Sequence, residues 1–364
     1  MSEDEPITTH GVVFEGPRRP ARMEELRLDA PQRGEVLVRM AAAGVCHSDL
    51  HVVEGEWERP AGVVMGHEGA GWIERTGDGV EDLKPGDLAV LAWTAPCRRC
   101  EACLRDEPWL CSRPAGSGHR LKPQDVRLRR AETGEPIGAY SGIGTFGEHQ
   151  VVASSAAIKV DPRTPPEIAA LIGCAVTTGI GAVRNTARVK AGESVTVIGL
   201  GGVGLSAVMG AVAEGAHPVT AIDMSPAKLE LAVQAGAHRT LLAQEADQAQ
   251  GGDHVIECIG VTQTVELAIE LARPGATITL VGMTPQGHRA SFDVYRIVEE
   301  GKVIRGSNYG SADPARDFPR IASEYLEGRL PLDLLITERI GLEQVEDAFA
   351  AMRRGDGVRR VIVY

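Results

Sequence analysis

A strand, a glycine-rich turn and a helix in immediate succession restrict this chain more than any other stretch. The strand SVTVI runs into Gly199-Leu200-Gly201-Gly202-Val203-Gly204, which opens the helical run LSAVMGAVAEGA, and Asp223 closes the next strand, VTAID. A glycine triplet alone is a weak signal. Between a strand and a helix, with an acid about twenty residues on, it becomes a dinucleotide-binding turn. Gly201 lets the backbone approach a pyrophosphate, and the helix N-terminus supplies positive potential. Asp223 is placed to bond the adenosine ribose hydroxyls, and an acid there repels a 2′-phosphate. The coenzyme expected is NAD, not NADP, held by Gly199, Gly201, Gly202, Val203, Gly204 and Asp223.

Around that turn the chain keeps a rhythm. From Thr177 on, Val-rich runs alternate with Ala-rich stretches: PVTAID, PAKLELAVQAGA, DHVIECIG, TVELAIELARPG and ATITLVGM. Such alternation predicts an α/β fold, a doubly wound parallel sheet covered on both faces. KVIRGSNYG (302–310) is expected to end that sheet, so the nucleotide-binding domain reads as 178–311. The earlier chain differs. Residues 11–43 alternate apolar and polar positions, and GAGWIERTG and PGDLAVLAW add short strands, which predicts a β-rich domain over 1–177. Beyond the sheet, RDFPRIASEYLEGRL and LEQVEDAFAAMRRG read as amphipathic helices. The closing strand RRVIVY is expected to return to the first domain, giving it 312–364 as well.

Between Gly44 and Gly71 the chain concentrates metal-ligating groups. GVCHSDLHVVEG carries the Cys46 thiol with His47, Ser48, Asp49 and His51 close by, and VVMGHEGAG adds His67 and Glu68. A lone Cys or His in an apolar setting is more often simply buried. Sulfur and imidazole together are what tetrahedral zinc prefers, and a catalytic zinc takes three protein ligands and keeps one position open. The third ligand must come from far along the chain, where LIGCAVTTG offers Cys174. Asp49 and Glu68 are placed to orient such ligands. Further on, PCRRCEACLRDEPWLC holds Cys97, Cys100, Cys103 and Cys111 within a lobe over 95–113. Four thiolates are the usual set for structural zinc. An iron–sulfur reading is weaker, because the fourth Cys lies too far on and no Cys-Pro follows it. The expected complement is therefore two zinc ions per chain.

Charge limits the partners. A formal net charge of -12 over 364 residues repels nucleic-acid backbones and anionic lipid surfaces. With 43% hydrophobic and 24% charged residues the chain reads as globular, and no apolar run of membrane-spanning length is expected. The start MSEDEPITTH lacks the basic and apolar regions of a secretory signal. Seven Cys in such a chain point to metal or thiol chemistry in the cytoplasm.

The run GHEGAGWIERTGDGV, with His67 and Glu68 in a glycine-rich turn, resembles the zinc-containing alcohol dehydrogenases of the medium-chain dehydrogenase/reductase family. The likeness extends over nearly the whole chain. It implies a GroES-like catalytic domain beside a Rossmann domain, and oxidation of an alcohol to an aldehyde or ketone with NAD. In that family the alcohol oxygen binds the open zinc position, its alkoxide gives hydride to the nicotinamide, and the proton leaves by a relay. Ser48 and His51 match that relay, which runs through the nicotinamide ribose hydroxyl, and an imidazole titrates near neutral pH. Thr178 matches a position bordering the nicotinamide, His47 and Arg359 positions on the pyrophosphate, and Lys228 one touching the adenosine ribose. Trp57 and Trp93 match walls of the substrate pocket, which would favour primary or aromatic alcohols. Residues 112–144, a polar surface loop bearing Arg113, His119, Arg120, Lys122 and Arg127, are retained here. In the family that goes with homodimers, its loss with tetramers.

Three rivals stand beside this reading. The closing stretch from Asn308 to Gly355 looks like bacterial dehydrogenases that act on a thiol adduct of formaldehyde, and the Arg-bearing loop could hold an anionic thiol carrier. A nicotinoprotein, in which NAD never leaves, is the second. The third is a zinc-structural binding protein without activity, against which stands the full set Cys46, His67, Cys174, Ser48 and His51.

Overall fold

A computed structural model describes residues 5–112, 114, 126–249 and 251–364 of the chain. Arg113, His119, Arg120 and Lys122 lie outside the described residues. Packing divides the chain into two units. The first comprises Met1–Cys174, Asp313–Leu326 and Ile336–Tyr364; the second comprises Ala175–Ala312 and Glu327–Leu335. The expectation that everything from 312 onward returns to the first domain therefore differs at Glu327–Leu335. Leu330, Leu332 and Leu335 in that stretch are buried, and the turn Leu332–Leu335 packs on the helix Gly202–Ala213.

Among the described residues the first unit is built from two β layers. Ile7–Phe14, Arg22–Leu28, Leu128–Arg130, Pro136–Ala139 and Val63–Val64 close into a small barrel. A larger sheet runs Ala157–Lys159, Leu88–Leu91, Gly69–Thr76, Glu35–Val45, Arg359–Val363, Ile336–Ile340, with His149–Ala153 also paired to Glu35–Val45. Glu35–Val45 is the hub: it pairs with three strands and is buried over most of its length. Its register with Arg359–Val363, Arg360 opposite Val45, carries the end of the chain to the start of the Cys46 loop.

The polar segment 112–144 is not all surface loop. Leu128–Arg130 and Pro136–Ala139 form a hairpin of the barrel. The apolar–polar alternation that marks a half-buried strand is missing because ion pairs satisfy these strands. Arg130 is paired with Glu15 and Glu24. Arg127 is held by Glu35 at 2.9 Å and by Gln32 at 2.9 Å, so it is not simply solvated.

The second unit is a six-stranded parallel sheet among the described residues, ordered Arg239–Leu242, Val219–Asp223, Val195–Ile198, His254–Glu257, Thr277–Leu280, Val303–Gly306. The central strands Val195–Ile198 and His254–Glu257 are buried throughout, as strands covered on both faces must be. The last strand is shorter than the sequence suggests; the chain then turns tightly through Tyr309–Ser311. The helical run Pro166–Ala187 spans 22 residues at mean hydropathy 1.5, enough by length and composition to cross a membrane. This corrects the expectation that no run reaches such length. Here 83% of its apolar window is buried inside the protein, so it packs as an internal helix.

Candidate metal and coenzyme sites

Cys46 ends the hub strand's extension and caps the helix His47–Glu54 in extended conformation. The side chain of Asp49, one turn in, accepts the Cys46 N–H at 3.1 Å. A thiol at a helix N-terminus sits in positive potential, which favours the thiolate that a metal needs. The other oxygen of Asp49 accepts from His67 Nδ1 at 2.9 Å. With a metal bound, that bond would keep the hydrogen on Nδ1 and leave Nε2 to the ion, as in carboxylate–histidine–zinc arrangements.

The structure brings Cys46, His67 and Cys174 together. Their ligand atoms all lie within 4.8 Å of one another and all three residues are buried. His67 Nε2 is buried without a hydrogen-bond partner among the described residues. A hydrogen bond from the Cys174 thiol, helped by the Arg359 guanidinium, holds the Cys46 thiol well below its ordinary range despite burial. The same bond, together with burial, pushes Cys174 well above it. Burial drives His67 down, but the Asp49 carboxylate and the Cys174 sulfur outweigh it and raise it well above its usual value. Two sulfurs and an imidazole nitrogen within 4.8 Å of one another are a donor set that a divalent cation would complete by displacing their protons. The residues fit zinc.

Arg359 completes the wall of this cluster. The resemblance put it on a pyrophosphate, whereas here its Nη2 donates to Cys46 Sγ at 3.3 Å and its Nε lies 3.2 Å from Glu68 Oε2. Both Arg359 and Glu68 are buried. A guanidinium taken out of water needs electron-rich neighbours, and the Cys46 sulfur and the Glu68 carboxylate supply them.

On the helix that Cys46 opens, Ser48 and His51 lie three positions apart and so share a face. Ser48 is half-buried, and His47 is exposed in the first turn. His51 Nδ1 meets Glu56 Oε2 at 2.5 Å, and the Trp57 ring stacks on the imidazole at 4.7 Å. Nothing in the sequence singles out Glu56. It follows His51 across the helix stop at Gly55, where no periodic pattern links the two. Trp57 also packs on the cluster containing Phe14, Val52 and Phe349, while Trp93 packs on a different one containing Val38, Ile73 and Leu91.

Cys97, Cys100, Cys103 and Cys111 gather in a second cluster within 4.8 Å. Cys100 Sγ lies 3.5 Å from Cys103 Sγ and 3.8 Å from Cys111 Sγ. Zinc–sulfur bonds of about 2.3 Å place tetrahedral sulfurs about 3.8 Å apart, so the spacing suits the ion. Backbone N–H groups of Cys103 and Ser112 bring the Cys100 thiol down to about 5. Burial and the neighbouring sulfurs push Cys103 up to about 12. Arg98, beside the lobe, clamps Asp313 with two hydrogen bonds at 2.7 and 2.5 Å.

In the second unit Gly201 caps the helix Gly202–Ala213, and no side chain among the described residues caps that helix. A Cβ built on Gly201 would meet nothing within 4 Å, whereas one on Gly204 would lie 1.7 Å from Gly199 O. Gly204 thus lets the helix close on the strand, and Gly201 leaves a cradle where backbone N–H groups can meet an anion. Asp223 ends its strand with Oδ2 accepting the Leu200 N–H at 2.7 Å and Oδ1 accepting the Ser225 N–H at 2.9 Å. Lys228 lies half-buried on the helix Pro226–Gln234, and Thr178 half-buried on Thr177–Gly181. The residues fit a dinucleotide.

Two thiol clusters ready for zinc, on a chain that also carries a dinucleotide-binding sheet, define a zinc-dependent, NAD-linked oxidoreductase. Comparison with known proteins agrees. The alcohol dehydrogenase GroES-like domain matches residues 32–162 and the zinc-binding dehydrogenase domain residues 202–327. An S-(hydroxymethyl)glutathione dehydrogenase of Haemophilus influenzae is 37% identical over 373 residues, covering 98% of each chain. One from Photobacterium damsela subsp. piscicida is 35% identical over 98% of this chain and 100% of its own. Among solved structures, an alcohol dehydrogenase zinc-binding domain protein from Burkholderia ambifaria superposes with a TM-score of 0.94 at 31% identity over 99% of both chains. Benzyl alcohol dehydrogenase from Acinetobacter calcoaceticus does so with 0.92 at 27% identity, over 98% of this chain and 99% of that one. The chain belongs to the zinc-containing alcohol dehydrogenases of the medium-chain dehydrogenase/reductase family. Its cofactors are zinc and NAD, with the four-cysteine lobe fitting a structural ion and the buried trio a catalytic one.

Proposed function

We propose that the enzyme interconverts a primary or aromatic alcohol and its aldehyde at a zinc held by Cys46, His67 and Cys174. The observation that carries this reading is the buried trio itself: the ligand atoms of Cys46, His67 and Cys174 lie within 4.8 Å of one another, and His67 Nε2 has no hydrogen-bond partner among the described residues. When bound, zinc supplies Lewis acidity toward an alcohol oxygen and NAD supplies the hydride acceptor. The chain's own side chains do the rest. Asp49 orients His67, while Arg359 and Glu68 balance charge around Cys46. Ser48 Oγ takes the hydroxyl proton and His51 carries it toward water. Asp223 and Lys228 hold the adenosine ribose, His47 the pyrophosphate, and Thr178 borders the nicotinamide.

Trp57 and Trp93 are the proposed apolar walls for an aromatic substrate, a reading supported by the likeness to benzyl alcohol dehydrogenase. The relatives named S-(hydroxymethyl)glutathione dehydrogenase favour a second reading, a thiol adduct of formaldehyde. Against it, Arg127 is already committed to Glu35 and Gln32. Steady-state rates with NAD should give a kcat/KM for benzyl alcohol at least about tenfold above that for formaldehyde plus glutathione. The reverse order would replace the first reading with the second.

We also propose a homodimer formed through the sheet edge Val303–Gly306. Val303 is 41% exposed there, and the neighbouring helix Val294–Glu299, with no buried residue, shows Tyr295 at 70% and Val298 at 76% exposure. An apolar open edge of this kind invites pairing with another strand. Val298→Glu should shift the sedimentation coefficient from dimer to monomer; a monomeric native protein would end the proposal.

A further inference from the structure

His51 is held more firmly than a proton carrier on a helix end needs to be. The helix His47–Glu54 stops at Gly55, whose left-handed φ of 78° turns the chain back on itself. As a result the N–H groups of both Glu56 and Trp57 donate to the His51 carbonyl, at 2.9 and 3.3 Å. That turn delivers two side chains to one imidazole. The Glu56 carboxylate takes Nδ1 at 2.5 Å, and the Trp57 indole lies against the ring face at 4.7 Å and 29°. Trp57 is anchored in turn against the buried cluster that includes Val52 and Val53. His47 stands one turn away, its ring centroid 6.5 Å from that of His51.

We propose that Glu56 is a positioning residue for His51, fixing its ring and its tautomer so that Nε2 is the nitrogen that receives the proton. The proposal rests on the relay reading above. An ionised carboxylate only accepts hydrogen bonds, so Nδ1 carries the hydrogen and Nε2 keeps a free lone pair. The proton released when the alcohol is oxidised ends on Nε2, the Nδ1–H stays on Glu56, and the imidazolium so formed faces a carboxylate. It returns to neutral by giving the Nε2 proton to water. Hydride goes to NAD, so charge and protons balance. A bare surface ion pair would contribute little. Here the backbone turn supplies the carboxylate and the indole supplies a wall, so neither side chain has to be ordered by the pair itself.

The test uses the full-length, zinc-loaded enzyme labelled with 15N-histidine, its His51 signals assigned against His51→Gln. Wild type should show the Nδ1–H tautomer. In Glu56→Ala the ring should move to the Nε2–H form, and kcat for benzyl alcohol should fall about tenfold with KM within about twofold. Glu56→Gln, which keeps an acceptor for Nδ1–H, should retain the wild-type tautomer and lose less activity than Ala. An Nε2–H tautomer in wild type, or one that Glu56→Ala leaves unchanged, overturns the proposal, and so does an unchanged kcat. A wild-type enzyme that turns over no alcohol defeats the dehydrogenase reading instead, and the tautomer comparison then still decides whether Glu56 governs His51.

Discussion

Cys46→Ser should cut the zinc content from two ions per chain to one and lower kcat by about a thousandfold, while the protein stays folded. Three features of the site make this the sharpest result available. Ser is among the best helix N-caps, so the start of His47–Glu54 is kept or improved, and the Cys46 backbone N–H that Asp49 accepts is untouched. The hydroxyl is a poor partner for zinc beside a Cys and a His, whose borderline-soft preference runs to thiolate. Arg359 loses the sulfur 3.3 Å from its Nη2 but retains Glu68, so the buried guanidinium is not stranded. The rate loss follows from removing Lewis acidity worth about 4 kcal/mol in the transition state. Elemental analysis with steady-state kinetics reads both halves. Cys103→Ser is the matched control, since it should forfeit the other ion and act first on thermal stability. A Cys46→Ser protein with two zinc ions or undiminished turnover would remove the buried trio from the mechanism.

That prediction joins residues that are not equally visible in the sequence. Cys46 and His67 announce themselves by their setting among turn glycines and acids, and the four lobe cysteines by their density. Cys174 carries no local mark; only the packing of the helical run Pro166–Ala187 brings its thiol to Cys46. Arg359 is similar, reaching Cys46 because its strand pairs Arg360 with Val45. The parallel sheet was legible because period and turn chemistry agree, strand after strand. The barrel hairpin over Leu128–Arg130 and Pro136–Ala139 was not, since Arg130 and Arg127 trade apolar contacts for carboxylates and erase the alternation. Glu56 is hidden for a third reason. Its meeting with His51 depends on a left-handed turn at Gly55, and a glycine in a sequence does not say which way the chain leaves it.

Asp223 gives the second large effect, and the structure changes how it has to be measured. The carboxylate already serves the protein, accepting Leu200 N–H on one oxygen and Ser225 N–H on the other. A carboxylate offers about four lone-pair sites, so one remains on each oxygen for a ribose hydroxyl. Asp223→Gly therefore does two things at once. It removes the proposed charge-assisted contact with the ribose and leaves the N–H of the fully buried Leu200 without its acceptor. The second loss loosens the glycine turn and should lower the melting temperature, but it falls on NAD and NADP alike. It cancels from the ratio of their kcat/KM values. What survives in the ratio is the lost attraction for the 2′-hydroxyl and the lifted repulsion of a 2′-phosphate. At about 1.5 kcal/mol for each, the preference for NAD should fall roughly a hundredfold. Asp223→Asn, which keeps one acceptor for the turn and discards the charge, should recover much of the stability yet still narrow the preference. If both variants discriminate as the native enzyme does, Asp223 is a brace for the turn and the ribose is read elsewhere.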